Sequence, residues 1–266
     1  MKFFLLFRKS KLRLSEFITL FNNKIENFNQ KDRINLFLLF FCISAVLFVQ
    51  SPLLKIFFYA DDFLLIYQIT NWSPAEFIFS PMGEHVCITR NLIFLLMYKA
   101  FGFRPFLFFA TVLITHLISV YLLFKVILYL THNNIASAMG ATVWGISPIN
   151  FTTLAWYSVY GHIIIAPFFL LFLLDLFRLK DNKISFSIIM ALKWSVYLFI
   201  IATSFGVGLG LVCISPVVIL ILFWNDMRKW KIALSLMPVI TVIIVLFIFN
   251  NNIYLIISGE KKELLS

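Results

Sequence analysis

Long uncharged runs alternate along this chain with short polar groups, and most of the runs have the length of membrane crossings. About 20 apolar residues cross a bilayer as a helix. Residues 34–54 meet that length without a charge, and Pro52 lies near their far end. Residues 55–104 follow, with apolar runs at 63–69 and 91–103 that are too short to cross with ease. Such runs more often lie at an interface. Extending the second across Arg104-Pro105 would put a guanidinium and a helix breaker into lipid. The pattern therefore predicts helices on the membrane surface, with Trp72 and Tyr98 at headgroup level. Further crossings are predicted at 105–130, 135–149, 156–176, 184–203, 205–224 and 232–249, with a tight turn at 131–134. The expected fold class is all-α: a polytopic integral membrane protein of about seven transmembrane helices, with interfacial helices in the first outer loop.

Composition strengthens this picture. The chain has 266 residues, 62% hydrophobic and 13% charged, whereas soluble domains are about 45–50% apolar and about 25% charged. Mean hydropathy is +0.97. The net charge of +10 does not indicate nucleic-acid binding, because of where the charge lies. Eight of the 22 Lys and Arg fall at or before Arg33, and most others sit in short connectors. In the predicted topology fifteen lie on one side, six on the other, and Lys193 lies within a span. Lys and Arg are enriched in cytoplasmic loops. The expected arrangement is a basic cytoplasmic tail (1–33), a transmembrane module (34–249) with the outer loop 55–104, and an outer tail (250–266). The tail also suits anionic lipid. Residues 3–7 are too short for a signal peptide, so 34–54 is expected to be an uncleaved anchor. Three Cys, with Cys42 and Cys213 in apolar runs, do not make a disulfide framework.

Candidate chemistry gathers between Tyr59 and Arg90. Asp61 and Asp62 stand just past the first span. A carboxylate beside an apolar interface loses solvation, which tunes it as a general base; a pair also suits a divalent metal. The plain alternative is solvated surface charge. Glu84, His85 and Arg90 form a second group. They are ordinary loop residues in isolation, but a folded-back loop would aim His85 and Arg90 at one site, and the planar fork of Arg suits phosphate. The intramembrane ionisable groups read from the sequence are His116 and Lys193. Such groups usually face a bundle interior; an interhelical hydrogen bond is the plain reading of His116, and Lys193 is assigned no role. Pro148, Trp156, Tyr157 and His162 surround the second outer turn, as interface anchors or as the wall of a sugar site. Gly206, Gly208 and Gly210 read as close-packing glycines rather than a dinucleotide fingerprint. The sequons at 71–73 and 150–152 are read as accidental.

The order of these features over residues 34–178 resembles the GT-C membrane glycosyltransferases, in the dolichyl-phosphate-mannose protein mannosyltransferase-like branch. The resemblance rests on the acidic pair after the first span, then GEHVCITRNLIFLLMYKAFGFRPF, FFATVLITHLISVYLLF and WGISPINFTTLAW in that order. It implies a polyprenyl-phosphate-linked sugar donor, inverting transfer on the outer face to a protein, lipid or glycan acceptor, and a divalent metal (Mg or Mn) where one is used. Asp61 would be the general base, with Asp62 orienting it or binding the metal. Arg90 and His85 would hold donor phosphate, and Glu84, His116, Trp156 and His162 would complete the substrate site. Members carry an acidic residue after a Ser near a later outer turn, where this chain has Thr203-Ser204-Phe205-Gly206. They are also longer, so a shortened or partial member is expected. A flippase or transporter of lipid-linked precursors and a non-catalytic relative are the competing readings.

Overall fold

A computed structural model describes residues 30–83, 85–226 and 228–258. The tail up to residue 29, Glu84 and the last eight residues lie outside the described part, so the expectations placed on them stay there. Two compact units divide at Phe41, and only the first turns of α1 (Gln30–Gln50) represent the first unit among the described residues.

The described residues are helical apart from turns and one isolated bridge, Met82 to His85. A 3₁₀ turn, Ser51–Lys55, follows α1 with Pro52 in its first turn. Then come α2 (Asp62–Asn71), α3 (Pro74–Phe79) and α4 (Ile88–Phe101). The helices expected at 63–69 and 91–103 are thus present, longer in the first case and shifted toward the N-terminus in the second. Local chemistry sets their ends. Ser73 and Glu76 form a reciprocal capping box with Pro74 at the first position of α3. Gly102, at φ 61, ends α4.

The bundle continues with α5 (Pro105–Thr131), α6 (Asn134–Ile146), α7 (Pro148–Leu154), α8 (Tyr160–Lys180), α9 (Ile188–Ser204), α10 (Gly206–Leu222), α11 (Lys229–Leu234) and α12 (Met237–Ser258). The crossing expected at 135–149 is broken. Ser147 turns extended, Pro148 starts a new helix, and the piece before it has 13 residues. The crossing expected at 232–249 is likewise preceded by a separate short helix, α11. Among the described residues four helical stretches are long and apolar enough to cross a membrane: Arg33–Lys55, Pro105–Thr131, Tyr157–Lys180 and Trp230–Asn250. Ile188–Ser204 and Gly206–Leu222 are apolar but shorter.

Cross-contacts give the direction of each helix. Thr115 meets Tyr160 and Tyr129 meets Asp181, so α5 and α8 run the same way. Asp175 meets Lys193 while Gly161 lies against Ser204, so α9 returns antiparallel to α8. Phe205 alone joins α9 to α10. One end of the bundle therefore collects Asp61, Arg90, Ser158 and Phe205, and the other collects Thr131, residues 180–188, residues 222–226 and Arg228. An aromatic core fills the first end: the Tyr157 ring meets Phe94 at 5.0 Å, Phe108 at 5.1 Å and Tyr160 at 5.2 Å. A second core, around Trp194, Leu198 and Phe172, packs α8, α9, α10 and α12.

The glycines of α10 divide by position. A methyl on Gly208 would overlap the Ile201 carbonyl of α9, and one on Gly206 would overlap the His85 ring; Gly210 faces open space. Gly161 is pressed against the Ser204 carbonyl in the same way. The packing role read from the sequence thus holds for Gly206 and Gly208 and not for Gly210. Gly208→Ala is expected to destabilise the fold by about 1–3 kcal/mol through overpacking. Gly210→Ala is expected to leave stability equal or slightly raised by helix propensity. Apparent Tm of the two variants in detergent checks this contrast.

Candidate functional site

The two adjacent carboxylates go to opposite environments. Asp61 is exposed at the head of α2 and makes no capping hydrogen bond there. Asp62 is fully buried. Its Oδ1 accepts from the backbone N–H and the hydroxyl of Ser158, each at 2.6 Å, and its Oδ2 accepts from the Tyr59 N–H at 3.0 Å. Ala60, directly before the pair, sits at φ 48, in the left-handed region that non-glycine residues rarely enter. Such strain persists only where the surroundings enforce it. Here the Asp62 carboxylate holds the Tyr59 N–H across the strained residue and pins the turn.

Ser158 passes the connection on. Its carbonyl accepts from Arg90 Nη1 at 2.7 Å, and the same nitrogen donates to the Met82 sulfur. Arg90 Nε and Nη2 donate to Asn91 Oδ1 at 3.0 and 2.6 Å. The Asn91 amide in turn donates to the carbonyls of Phe77 and Ser80, at 2.9 and 3.1 Å, where α3 ends. The Phe77 carbonyl also accepts from the Ser80 N–H and hydroxyl at the C-cap, so Asn91 adds a further donor to a helix end that is already capped. Asp62, Ser158, Arg90 and Asn91 form one buried network linking α2, the 3₁₀ turn Tyr157–Val159, α4 and α3. Burial pushes the Arg90 guanidinium below its ordinary value, against the pull of neighbours that include Asp62. Burial also pushes the Cys87 thiol up, with Arg90 acting in the opposite direction.

This geometry changes two expectations. Arg90 does not present its fork to an incoming phosphate, because each guanidinium nitrogen already donates within the protein and the side chain is 1% exposed. Asp62 does not offer a free face to a metal, because both oxygens are engaged under full burial. Among the described residues no group of three or more His, Cys, Asp or Glu is placed to hold an ion. The donor set present therefore does not fit a divalent metal at Asp62.

The histidines separate from that network. The backbone of His85 pairs with Met82, while its ring packs on Phe205 at 4.5 Å. His162 packs on the same ring at 4.1 Å. His85 and Arg90 thus point to different neighbours, the α9–α10 junction and the Ser158 turn. His116 is buried in α5, with Nε2 2.9 Å from the Gly145 carbonyl, which also accepts from Gln50. A carbonyl only accepts, so His116 carries a proton on Nε2. His116 and His162 share a cavity of about 170 Å³ with Ser119, Trp144, Asn150 and Thr153. Trp156 meets Tyr59 edge to face at 6.4 Å. The indole N–H of Trp156 and the hydroxyl of Tyr157 are shielded and have no hydrogen-bond partner.

Sequence reading missed three contributors. Asn91 and Ser158 carry the network, and nothing local marks Ser158. Asp175 lies inside the run expected to cross at 156–176 and went uncounted, although a carboxylate within a span is itself a signal. Its Oδ2 is 2.5 Å from Lys193 and accepts from Trp194 Nε1 at 3.2 Å. Lys193, assigned no role from the sequence, is the partner of that carboxylate. Compared with models of protein families, with curated proteins and with solved structures, the chain matches none.

Removing the buried anchor strands the Ser158 donors and leaves Arg90 without its nearby countercharge, a loss of roughly 2–4 kcal/mol. Asp62→Ala is therefore expected to lower apparent Tm by several degrees. Asp61→Ala, at an exposed and unbonded position, is expected to stay within about 0.5 kcal/mol of the parent. Thermal unfolding of the two variants side by side measures the difference.

Proposed function

We propose that the chain is a membrane glycosyltransferase that moves a sugar from a polyprenyl-phosphate donor to an acceptor hydroxyl with inversion. In this reading the seven apolar runs cross the membrane, the N-terminus is cytoplasmic, and the end bearing Asp61 lies on the outer face. The observation that carries it is the division of labour in the acidic pair. Asp62 is spent on holding the turn, and Asp61 is left exposed, unbonded and fixed in place behind a strained Ala60.

Asp61 takes the proton of the acceptor hydroxyl as its oxygen forms a bond to the anomeric carbon. The bond from that carbon to the phosphate oxygen breaks on the opposite face, and its electron pair leaves with the polyprenyl phosphate. A positioned base typically contributes 10²–10⁴-fold to such a step. Arg90 acts through Ser158 and Asp62, keeping the turn in register, and is a positioning residue rather than a phosphate ligand. No step is routed through a metal. The order of motifs from the acidic pair to WGISPINFTTLAW supports the same reading.

Transport of a lipid-linked precursor would ask for polar groups along the spans. Asp175 joins His116 and Lys193 there, but it is committed to Lys193 and Trp194.

The test is transfer from radiolabelled polyprenyl-phosphate sugars in proteoliposomes containing the full chain. Asp61→Asn is expected to cut transfer at least 100-fold with apparent Tm unchanged. Transfer at the parent rate by a folded Asp61→Asn protein would remove the mechanism.

A further inference from the structure

At the end of the bundle opposite the acidic pair, the last turn of α8 and the end of α10 border an open groove of about 660 Å³. Lys180 stands on the α8 side, and the stretch from Ile221 to Asp226 forms the rest of the lining. The groove has a local cause. α10 has 17 residues, about 25 Å of helix, which is less than the roughly 30 Å of hydrocarbon in a bilayer. The chain therefore leaves α10 near the boundary between acyl chains and headgroups, while α8 runs for 21 residues to Lys180.

Charge decides what suits this groove. The carboxylates at this end are already matched. Asp226 accepts from the backbone N–H, Nε and Nη2 of Arg228, and Asp181 accepts from Tyr129 and pairs with Lys183. Lys180 is exposed and makes no ion pair among the described residues. Residues 178–183 and 226–231 together carry six Lys or Arg against two Asp, so the surroundings of Lys180 are net positive. The end of α10 does not oppose this with bare carbonyls. Those of Ile219, Ile221 and Phe223 accept from the N–H groups of Phe223, Trp224 and Asp226, which closes the helix end. A basic recess between membrane helices takes an anionic headgroup.

The apolar surface beside the groove distinguishes a lipid from a free anion. Ile214, Val217, Ile221 and Trp224 are exposed and recur three or four positions apart, so they form one stripe along α10 that ends in the groove. An acyl chain laid on that stripe brings its phosphate beside Lys180. The Lys180 stem can follow apolar surface while its ammonium stays among the headgroups, and the Trp224 indole suits the same level.

We infer that this groove is a site for one anionic phospholipid, with its phosphate on Lys180 and an acyl chain along the α10 stripe. The inference needs α8 and α10 to lie in a bilayer and does not depend on the glycosyltransferase reading.

Titration of the full chain in detergent with dioleoyl phosphatidylglycerol or dioleoyl phosphatidylcholine, read by native mass spectrometry, tests it. The first phosphatidylglycerol is expected to bind at least about fivefold more tightly than the first phosphatidylcholine, the scale of one cation at an anionic surface. Lys180→Gln is expected to remove that preference and Lys180→Arg to keep it. Lys231→Gln takes a cation from the same end but from outside the groove lining, and is expected to leave the preference nearly unchanged. Millimolar inorganic phosphate, which has no use for the stripe, is expected not to displace the lipid. Equal affinity for the two lipids, or a preference that survives Lys180→Gln, would overturn the inference. So would an equal fall in Lys231→Gln, which marks diffuse charge rather than a site. Displacement by phosphate alone, or a second copy of the chain bound in place of lipid, overturns it as well.

Discussion

A guanidinium taken out of water must find every one of its hydrogen-bond partners inside the protein, and the end of the molecule that carries the acidic pair is arranged around that requirement. Arg90 is 1% exposed and lies near Tyr157, whose ring packs on Phe94 and Phe108. Among the described residues it has no direct ion pair; Ser158 stands between it and Asp62, giving its carbonyl to one charge and its N–H and hydroxyl to the other. Interposing a serine keeps both charges satisfied and ties together three segments far apart in sequence. Asn91 extends the same logic to the end of α3. Breaking any one of these links leaves a buried polar group unmatched, which costs more than a typical hydrogen bond contributes.

That network is coupled to the bundle through close backbone approach. Gly161 and Gly208 let α8 and α10 press against the C-terminal part of α9, and the single residue Phe205 turns the chain between α9 and α10. The same turn presents Phe205 to both His85 and His162, so the loop before α4 and the start of α8 meet on one ring. Thr89 and Thr203, whose hydroxyls are 2.6 Å apart, reinforce the contact of α4 with α9. The acidic turn is thereby mounted on helices rather than on a free loop, which favours a fixed geometry for Asp61.

The opposite end solves its electrostatics differently. Tyr129 donates to Asp181 at 2.5 Å, Lys183 pairs with Asp181 at 3.5 Å, and Arg228 donates to Asn182 and to Asp226. These groups are largely exposed, where ion pairs contribute little to stability. Asp175 with Lys193 lies deeper on the carboxylate side, where the Asp175 side chain is 10% exposed. The bundle thus has a buried, neutral-bridged network at one end and a solvated cluster of direct pairs at the other. Both ends contain left-handed non-glycine residues, Ala60 at the first and His132 and Asn182 at the second, but among the described residues the carboxylate beside Asn182 is paired whereas that of Asp61 is not.

Although several helix ends, among them those of α9 (Ile188–Ser204, expected at 184–203) and α12 (Met237–Ser258, expected at 232–249), fell elsewhere, the sequence by itself determined the all-helical class and the apolar runs of membrane length. Those properties depend on neighbours in the chain: the length of an apolar run, Ser73 with Glu76, Pro105 and Pro148 at first positions, and Ser187 ahead of α9. The same local reading located the acidic pair and, through the order of motifs, a family resemblance. It could not assign different roles to Asp61 and Asp62, which are identical residues side by side. Their difference comes from Ser158, 96 positions away. Tertiary structure alone also decided that Arg90 faces inward, that Lys193 meets Asp175, and that His116 and His162 line one cavity. The physical reason is the same in each case. Helix formation is settled over a few residues, whereas the satisfaction of a buried polar group depends on whichever distant segment packing brings beside it.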